Sequence, residues 1–581
     1  MKSFVEEQEI IDQMMSELSL EKLENTVEYF SHLYRYTGSL DGEMAVAYLI
    51  QQMEAYGINY KTYEYDAYSS IPLNAKIQVI QPEQLEISAL ADVFSAEALQ
   101  LEGELFYDCK NLLINSTLEN EEEKQSNFRG KIVLSHEGGE MAHKAYEAGA
   151  IAFIHINSTD GNVIHHRGTG TVWGNPDLEH INNYIKIPSV GIGKEDGYKL
   201  IQMSEQKEEK IRLKYSVFMD TGIKKSTMPI AEVKGKSEKY ILLSAHYDSW
   251  YEGVTDNATS NAILLELARL FTKYQPFLER SVKIAWWSGH SDGRYAGSTW
   301  YCDNKWQDLR KNCMAHINLD LTGCKGASQI IPRTTAMEGI NFTADVIEKI
   351  TGQRPQNYIP MIRGADQSFW GVNIPIVIML KYEPKIEERK ASCPGGGPWW
   401  HTNQDTIDKL DSKYLERDAK INGILAAQLA FGNALPIELS GFLDEMRETL
   451  KKIEEKLSPE FDLTPVYRQL SALKNEVGDF EPELKKYKSE CDEIIKETAG
   501  ELVRITYSCT SCYEHDLAVT EKPFPGIQKT ANIYSGNVSN LMFLAAKTTF
   551  IRQRNRLVGQ IEQVRTVVRL QMKKWKGNEN G

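Results

Sequence analysis

The segment Lys239–Asn261, KYILLSAHYDSWYEGVTDNATSN, decides the fold of this chain and carries its first candidate site residues. Residues 241–243 form a short apolar run, which is typical of a strand covered on both faces. The segment then turns polar and supplies His246, Asp248 and Asp256. Because open α/β sheets place their sites at the carboxyl ends of strands, we predict an α/β fold with a metal-binding cluster at this point.

Further segments with chemically useful side chains follow in order, after a helix that the pattern predicts from Ala258 to about Tyr274. Each lies at the end of an apolar run or in a turn. The segments are Trp286–Ser298 (WWSGHSDGRYAGS), Ile317–Gly323 (INLDLTG), Gly364–Phe369 (GADQSF) and His401–Asp411 (HTNQDTIDKLD).

Together these segments resemble the co-catalytic zinc exopeptidase family that includes bacterial aminopeptidases, glutamate carboxypeptidase and the catalytically inert transferrin receptor. The most specific parts are a His-x-Asp followed eight residues later by Asp-Asn, an Asn-x-Asp at a strand end, and a late His-x-x-x-Asp. The resemblance covers most of the chain. It implies a doubly wound mixed sheet of co-catalytic metallopeptidase architecture and two divalent metal ions, with zinc as the expected element.

The part of the chain before the first segment changes character twice. Residues 4–56 predict two amphipathic helices separated by the turn 36–39. From residue 71 to 228 the pattern is short strands with many turns, and GKIVL (130–134) followed by a helix at 140–150 resembles the protease-associated insert domain of the same family. Such an insert is β-rich, covers the cleft and helps to select substrates in that family.

The predicted domains are therefore a metallopeptidase-like catalytic domain, a protease-associated insert and a helical carboxyl-terminal domain. The catalytic domain comprises residues 1–70 and 229–411, the insert 71–228, and the helical domain 412–581. The resemblance implies that the helical domain forms a homodimer. Within the insert, His165 and His166 are expected in a solvent-exposed turn rather than as metal ligands.

Composition excludes several classes of protein. The chain has 581 residues, 41% of them hydrophobic and 25% charged, with a formal net charge of −15, which argues against a nucleic-acid partner. Its eight cysteines are scattered, as in a reducing compartment. The amino terminus lacks the apolar core of a signal peptide, and no apolar run has the length of a membrane span. We expect a cytoplasmic protein with no membrane partner.

The loop after the strand predicted at residues 281–287 (SVKIAWW) departs from the family. Active relatives carry two adjacent glutamates here, the first a general base and the second a metal ligand, but residues 289–298 read GHSDGRYAGS. Alignment by the strand places His290 and Ser291 on the pair, whereas alignment backward from residue 298 places Ser291 and Asp292 there. We favour His290 as a metal ligand and Asp292 as the general base, and the reverse assignment and a degenerate site remain open.

The resemblance implies roles for the other polar residues. Asp256 is expected to bridge two ions, one of them completed by His246 and Asp320 and the other by His401 with His290 or Asp292. Asp248 is expected to orient the imidazole of His246 or to support the bridge, as a catalytic-site residue. The expected substrate-binding residues, from the turn at 363–366 and the glycine-rich loop 392–400, are Arg363, Asp366, Gly396 and Trp400.

The function implied is metal-assisted hydrolysis of a peptide or amide bond by an exopeptidase, with a peptide or N-acyl amino acid as substrate. Whether the enzyme is an aminopeptidase or a carboxypeptidase stays open. The alternative is a non-catalytic, dimeric binding protein of transferrin-receptor type with a degenerate metal site.

Overall fold

The computed structural model describes residues 4–110, 126–205, 210–389, 395–518 and 522–579. The first part of the predicted glycine-rich loop 392–400 therefore lies outside the described residues. The elements up to residue 233 are α1 Phe4–Ser16, α2 Leu20–Phe30, α3 Leu40–Ala55, β1 Tyr60–Gln81, β2 Leu85–Ala91, β3 Ala98–Tyr107, β4 Lys131–Ser135, α4 Glu140–Glu147, β5 Ala152–Ile156, β6 Ser189–Ile192, α5 Lys194–Glu205 and β7 Arg212–Val233.

The second half of the chain completes the sheet and then becomes helical. Its elements are β8 Ser237–His246, α6 Thr259–Lys273, β9 Arg280–Trp287, α7 Ala296–Asn304, α8 Trp306–Asn312, β10 Cys313–Asn318, β11 Gln329–Thr334, α9 Ile340–Thr351, β12 Ile359–Pro360, β13 Ile376–Glu383, α10 Ser412–Phe431, α11 Leu439–Glu454, α12 Thr464–Tyr487, α13 Asp492–Ile495, α14 Glu501–Tyr507, α15 Pro525–Gln528 and α16 Asn540–Glu579.

A mixed sheet organises the molecule, with strand order β1-β2-β6-β5-β4-β3-β7-β9-β8-β10-β13-β11-β12. β8 lies between β9 and β10 and is parallel to both, with Ile241 in register with Val282 and Ala315. Residues 240–246 of β8 are all buried, and α6 and α10 pack against the strand. The apolar run at 241–243 thus forms the covered strand that the sequence predicts, and the predicted fold class is confirmed.

The amino-terminal segment contains three helices rather than the two that the sequence predicts. The chain breaks between α1 and α2, and Ser19 begins α2: its side chain accepts a hydrogen bond from the backbone N–H of Lys22 and so caps the helix. The third helix, α3, follows the turn at 36–39 as expected. The extra break turns the chain around the edge of α6, to which α2 packs.

A long antiparallel ribbon joins the insert to the rest of the sheet. β1 and β7 pair from Tyr60 opposite Ala231 to Gln81 opposite Arg212, and β7 also pairs with β9. The predicted boundaries at 70/71 and 228/229 therefore fall inside continuous strands, and the domain division stays a prediction. Beyond the ribbon, β3, β4, β5 and β6 run parallel and carry their own apolar core.

The helical part is joined to the sheet by buried polar contacts. α10 belongs to the same apolar core as β8 and β9. Arg280 at the start of β9 makes two hydrogen bonds of 2.7 and 2.8 Å to the carboxylate of Asp492, and both side chains are buried. Within the described residues, no helix is both long and apolar enough to cross a bilayer.

Candidate active site

β8 delivers His246 to its carboxyl end as a fully buried side chain. The Nδ1 atom of His246 lies 2.9 Å from the backbone carbonyl oxygen of Asp248. Because a carbonyl can only accept, Nδ1 carries the proton and Nε2 keeps its lone pair. This tautomer is the one that a metal ligand needs.

Two carboxylates converge on that lone pair. His246 Nε2 lies 3.1 Å from Asp256 Oδ1 and 3.6 Å from Asp320 Oδ1. All three atoms are buried, and none has a hydrogen-bond partner. Such atoms are costly to bury unless something compensates them.

A divalent cation would compensate them. Bonds of about 2.0–2.1 Å to zinc separate tetrahedral ligands by roughly 3.3 Å, close to the distances observed here. The donor set of one imidazole and two carboxylates also suits zinc. The residues present therefore fit the metal that the resemblance implies.

His401 faces the other oxygen of the central carboxylate. Its Nε2 lies 3.1 Å from Asp256 Oδ2, so Asp256 stands between two imidazoles. The Nδ1 atom of His401 lies 2.8 Å from the backbone carbonyl oxygen of His166 in the insert. Here too the carbonyl fixes the proton on Nδ1 and leaves Nε2 free.

His290 joins the cluster from the unusual loop after β9. A ligand atom of His290 lies within 4.8 Å of those of His246 and Asp320. The structure therefore brings His290 together with His246 and Asp320. Its ring stacks on that of His246, with centroids 3.8 Å apart and an angle of 11° between planes. Because the two ring planes are nearly parallel and offset, an ion in the plane of one ring lies outside the plane of the other, which is a poor arrangement for both imidazoles to bind one ion.

A buried carboxylate orients His290. Nδ1 of His290 lies 2.9 Å from Asp366 Oδ2, while Asp366 Oδ1 accepts a hydrogen bond of 3.0 Å from the hydroxyl of Ser298. Burial and the nearby His246 lower the pKa of His290, Asp366 raises it, and the net pKa is above its ordinary value. Asp366 thus holds a proton on Nδ1 and leaves Nε2 for the cavity.

Asp292 lies in a different environment. Its two carboxylate oxygens accept hydrogen bonds from the backbone N–H and the hydroxyl of Thr37, at 3.1 and 2.5 Å. Burial, followed by the charge of Asp248, raises the pKa of Asp292 to about 7. The described residues that line the cavity include His290 and Ser291 but not Asp292.

Asp248 connects the two loops that surround the cluster. Its carboxylate accepts hydrogen bonds from the backbone N–H groups of His290 and Ser291, at 3.3 and 2.9 Å. Oδ1 is 3.6 Å from His246 Nδ1, so the backbone carbonyl of Asp248 makes the closer contact with that imidazole. Asp248 is therefore placed to support both loops.

Two residues that the sequence analysis missed hold the same loops. Arg35 is fully buried and donates hydrogen bonds to the backbone carbonyls of Tyr247, Glu252 and Gly253, at 2.7–3.0 Å. Desolvation lowers the pKa of Arg35 to about 10. The guanidinium takes the place of water as the hydrogen-bond donor to these loop carbonyls, which would otherwise be buried without a partner. Thr37, two residues on, binds Asp292 as described.

Asp405, from the last motif, holds the backbone at Asp256, the carboxylate at the centre of the cluster. Its carboxylate accepts hydrogen bonds from the backbone N–H groups of Thr255 and Asp256, at 3.0 Å each, and from the hydroxyl of Thr255. Desolvation raises the pKa of Asp405 to about 7. In the late His-x-x-x-Asp motif, His401 thus faces the carboxylate of Asp256, and Asp405 fixes the backbone of Asp256.

The expected substrate-binding residues separate into two groups. Trp400 lines the cavity, and in the glycine loop the lining residue is Gly395 rather than Gly396. Arg363 is buried, with Nη1 3.2 Å from Asp516 Oδ2 and its guanidinium above the ring of Trp173. Asp366 binds His290. These two carry contacts within the protein, and their substrate role stays a prediction.

The expectation of a solvent-exposed turn at His165 and His166 is wrong. Their exposed fractions are 2% and 3%. His165 Nδ1 lies 2.5 Å from the carbonyl oxygen of Trp400, and the ring of His166 stacks on Trp250 at 3.9 Å. Burial lowers the pKa of His165 to about 4 and that of His166 to about 3, so both are neutral near pH 7. The histidines pack against the catalytic part because the insert covers this end of the sheet.

A cavity of about 780 Å³ lies above the cluster, between the insert and the ends of the parallel strands. Asp256, Asp320, His290 and His401 line it together with side chains of the insert such as Arg167. This volume suits a small peptide more than a protein loop. The enclosed site and its buried ligands define a class: a metallopeptidase-type α/β domain with an inserted cap.

Comparison with known families agrees with this class. Residues 229–424 match the profile of peptidase family M28, and residues 101–200 match that of the PA domain. Residues 229–424 are therefore similar to peptidase family M28 and residues 101–200 to the PA domain, as the motifs indicate.

The individual relatives include aminopeptidases, and probable glutamate carboxypeptidases such as VP8 of Zea mays, which is 24% identical over 38% of this chain and 33% of the relative, are also among them. Aminopeptidase YwaD of Bacillus subtilis (strain 168) is 27% identical over 330 residues, which are 52% of this chain and 64% of the relative, so less than two thirds of its length is spanned. The solved aminopeptidase from Aneurinibacillus sp. strain AM-1 has 25% identity and a TM-score of 0.57, covering 74% of this chain and 98% of that one. BSAP, a zinc aminopeptidase from Bacillus subtilis, has 20% identity, a TM-score of 0.54 and coverage of 71% and 96%, and supports the fold.

Proposed function

We propose that this protein is a zinc-dependent exopeptidase that removes a residue from the end of a short peptide. The observation that carries the proposal is a set of three buried atoms without hydrogen-bond partners, His246 Nε2, Asp256 Oδ1 and Asp320 Oδ1, beside the cavity that Asp256 and Asp320 line. A degenerate site of transferrin-receptor type would have no need to keep these costly atoms in place. The aminopeptidases among its relatives favour cleavage at the amino end.

The metal would be held around Asp256. His246, Asp256 and Asp320 would hold one ion, and Asp256 with His401 would hold a second, so the proposal includes two ions. A bound zinc ion supplies Lewis acidity, which polarises the scissile carbonyl and makes a nearby water molecule more acidic.

His290 is the residue that we assign to proton transfer. With its Nδ1 proton held by Asp366, Nε2 is free to accept the proton of the attacking water as the new C–O bond forms. The same Nε2 then returns the proton to the leaving nitrogen as the C–N bond breaks. Asp292 is a poorer candidate for accepting the proton or for returning it, since Thr37 binds both of its carboxylate oxygens.

A cytoplasmic location and a homodimer are also part of the proposal. Buried free thiols at Cys302, Cys313 and Cys324 suit a reducing compartment. The helical part after residue 411 offers the surface for dimerisation. Cell fractionation would contradict the location if the protein appeared in an oxidising compartment.

The test of the proposal is hydrolysis linked to metal content. The zinc-loaded protein should hydrolyse aminoacyl p-nitroanilides and short peptides with a free amino terminus, and lose this activity after chelation. His246→Ala should lose zinc and hydrolysis together, while His32→Ala, which removes an exposed imidazole, should keep both. A zinc-loaded wild-type protein with no hydrolysis of amino-terminal, carboxyl-terminal or N-acyl substrates would overturn the proposal.

A further inference from the structure

The insert reaches the site through one irregular loop, residues 165–174. At its start, the loop exchanges two hydrogen bonds with His401: the backbone N–H of His166 donates to the backbone carbonyl of His401 at 3.1 Å, and the imidazole Nδ1 of His401 donates to the backbone carbonyl of His166 at 2.8 Å. His165 Nδ1 adds a bond of 2.5 Å to the carbonyl of Trp400. Three hydrogen bonds therefore join the loop to two successive residues.

The other end of the loop reaches the support of His290. The indole N–H of Trp173 donates to the hydroxyl of Ser368 at 2.9 Å, and Ser368 lies 2.8 Å from the hydroxyl of Ser298. Ser298 in turn donates to Asp366, the partner of His290. The backbone N–H of Gly174 donates to the carbonyl of Arg294 at 2.7 Å, in the same loop as His290.

The loop is itself held firmly from within the insert. Thr159 Oγ1 lies 2.7 Å from His165 Nε2, and the side chain of Asn157 accepts from the backbone N–H of His165 at 3.2 Å. Backbone bonds at 2.9 and 3.0 Å connect Val93 to Arg167 and Thr169. A loop with these internal supports can impose its geometry on its partners, which a mobile lid could not do.

We infer that loop 165–174 of the PA insert is a positioning element of the catalytic centre, which fixes the tautomer and orientation of His401 and the network behind His290. The part about His290 rests on the proposed function, whereas the part about His401 concerns metal binding alone. His165 and Trp173 are positioning residues because they act through Trp400, His401 and Ser368 and lie behind the reacting groups. The insert then serves to assemble the site as well as to cover it.

Two variants test the two ends of loop 165–174 separately. His165→Ala removes the bond to Trp400, so His401 should bind metal less well, and zinc affinity measured by competition with a chromogenic chelator should fall about 10- to 100-fold. Trp173→Phe keeps an aromatic ring but removes the donor to Ser368, so kcat should fall about 5- to 10-fold with KM and zinc content unchanged. His180→Ala is the control, because that imidazole bonds Asp177 in the same irregular stretch of the insert.

The outcomes are distinct. Zinc affinity of His165→Ala equal to that of the wild type and of His180→Ala would overturn the inference for His401, whether or not any substrate is cleaved. An unchanged kcat in Trp173→Phe would overturn it for His290. If His165→Ala fails to fold, Thr159→Val, which frees His165 Nε2 but leaves the backbone contacts, should give a smaller loss of zinc affinity, and no loss would count against the inference.

Discussion

At the scale of single residues, each imidazole of the site is defined by what its Nδ1 atom contacts. His246 and His401 meet backbone carbonyls, whereas His290 meets the carboxylate of Asp366. A carbonyl fixes a tautomer without adding charge, which suits a ligand. A carboxylate also stabilises the protonated imidazole, which suits a residue that must accept a proton and release it.

The loop that replaces the glutamate pair can be tested with two substitutions. His290→Ala should keep zinc bound at His246 and Asp320 but lower kcat by about 10²- to 10⁴-fold, because the proton acceptor is lost. Asp292→Asn should leave kcat within about threefold and lower thermal stability, because Thr37 loses a charged acceptor. Zinc content by inductively coupled plasma mass spectrometry and kcat on one peptide substrate measure both effects. Loss of zinc in His290→Ala, with loss of turnover in Asp292→Asn, would restore the assignment favoured by the sequence.

The residues that the sequence predicts as ligands come together in one cluster because they follow local signals. His246 and Asp320 end apolar strands, and parallel strands bring their carboxyl ends to one edge. The supports could not be predicted, because they depend on contacts between distant parts of the chain. Thr37 and Asp292 are 255 residues apart in sequence, and nothing local to the turn at 36–39 indicates which side chain it will meet.

At the scale of secondary-structure elements, the hydrophobic pattern predicts which segments form strands and which form helices. It does not predict where these elements begin and end, or how the long strands pair. The strands predicted at residues 241–243 and 281–287 became β8 and β9, but nothing local to the sequence indicates the 22-residue lengths of β1 and β7. The two strands stabilise each other along the whole ribbon, so their length is a property of the pair. The burial of His165 and His166 also depends on distant parts of the chain, because the ribbon places the insert over the site.

Burial of His166 predicts acid sensitivity of the insert. The pKa of His166 is lowered to about 3, mainly by burial, from an unfolded value near 6.5. Below pH 6.5 the unfolded chain therefore binds a proton that the folded chain excludes, and stability falls as the pH drops toward 3. At pH 4.5 the loss from this group is at most about 3 kcal/mol.

The variant His166→Phe isolates this contribution, because phenylalanine can still stack on Trp250 but cannot be protonated. The melting temperature of the metal-free protein should fall less steeply between pH 6.5 and 4.5 in the variant than in the wild type. Carboxylates that titrate in this range affect both proteins equally, so the difference between the two curves is the measurement. Parallel curves would show that His166 is not the acid-sensitive group.

At the scale of the whole molecule, the site is assembled from every part of the chain. The amino-terminal turn holds two of its loops through Arg35 and Thr37, the insert contacts His401, and the carboxyl-terminal part reaches Arg363 through Asp516. The acidic surface implied by a net charge of −15 coexists with a cavity that includes arginine side chains. Composition argues against a nucleic-acid partner, but it could not indicate the charge inside the cavity.

The carboxyl-terminal helix carries the prediction of a homodimer. On α16, Leu541, Leu544 and Ile551 have exposed fractions of 76%, 59% and 38% and lie at spacings of three and seven residues. Such spacings place side chains on one face of a helix, so the three form an apolar strip that water contacts in a single chain. A second copy of the same strip, related by a twofold axis, would cover it.

Light scattering at micromolar concentration should therefore give about twice the mass of the 66.1 kDa chain. The double variant Leu541→Glu/Leu544→Glu should be a monomer with unchanged zinc content, because charge on the strip opposes association while the site lies elsewhere in the chain. Leu99→Glu is the matched control, since that leucine is 75% exposed on the insert, and it should remain dimeric. A wild-type protein that scatters as a monomer would refute the dimer, and a double variant that stays dimeric would move the interface away from α16.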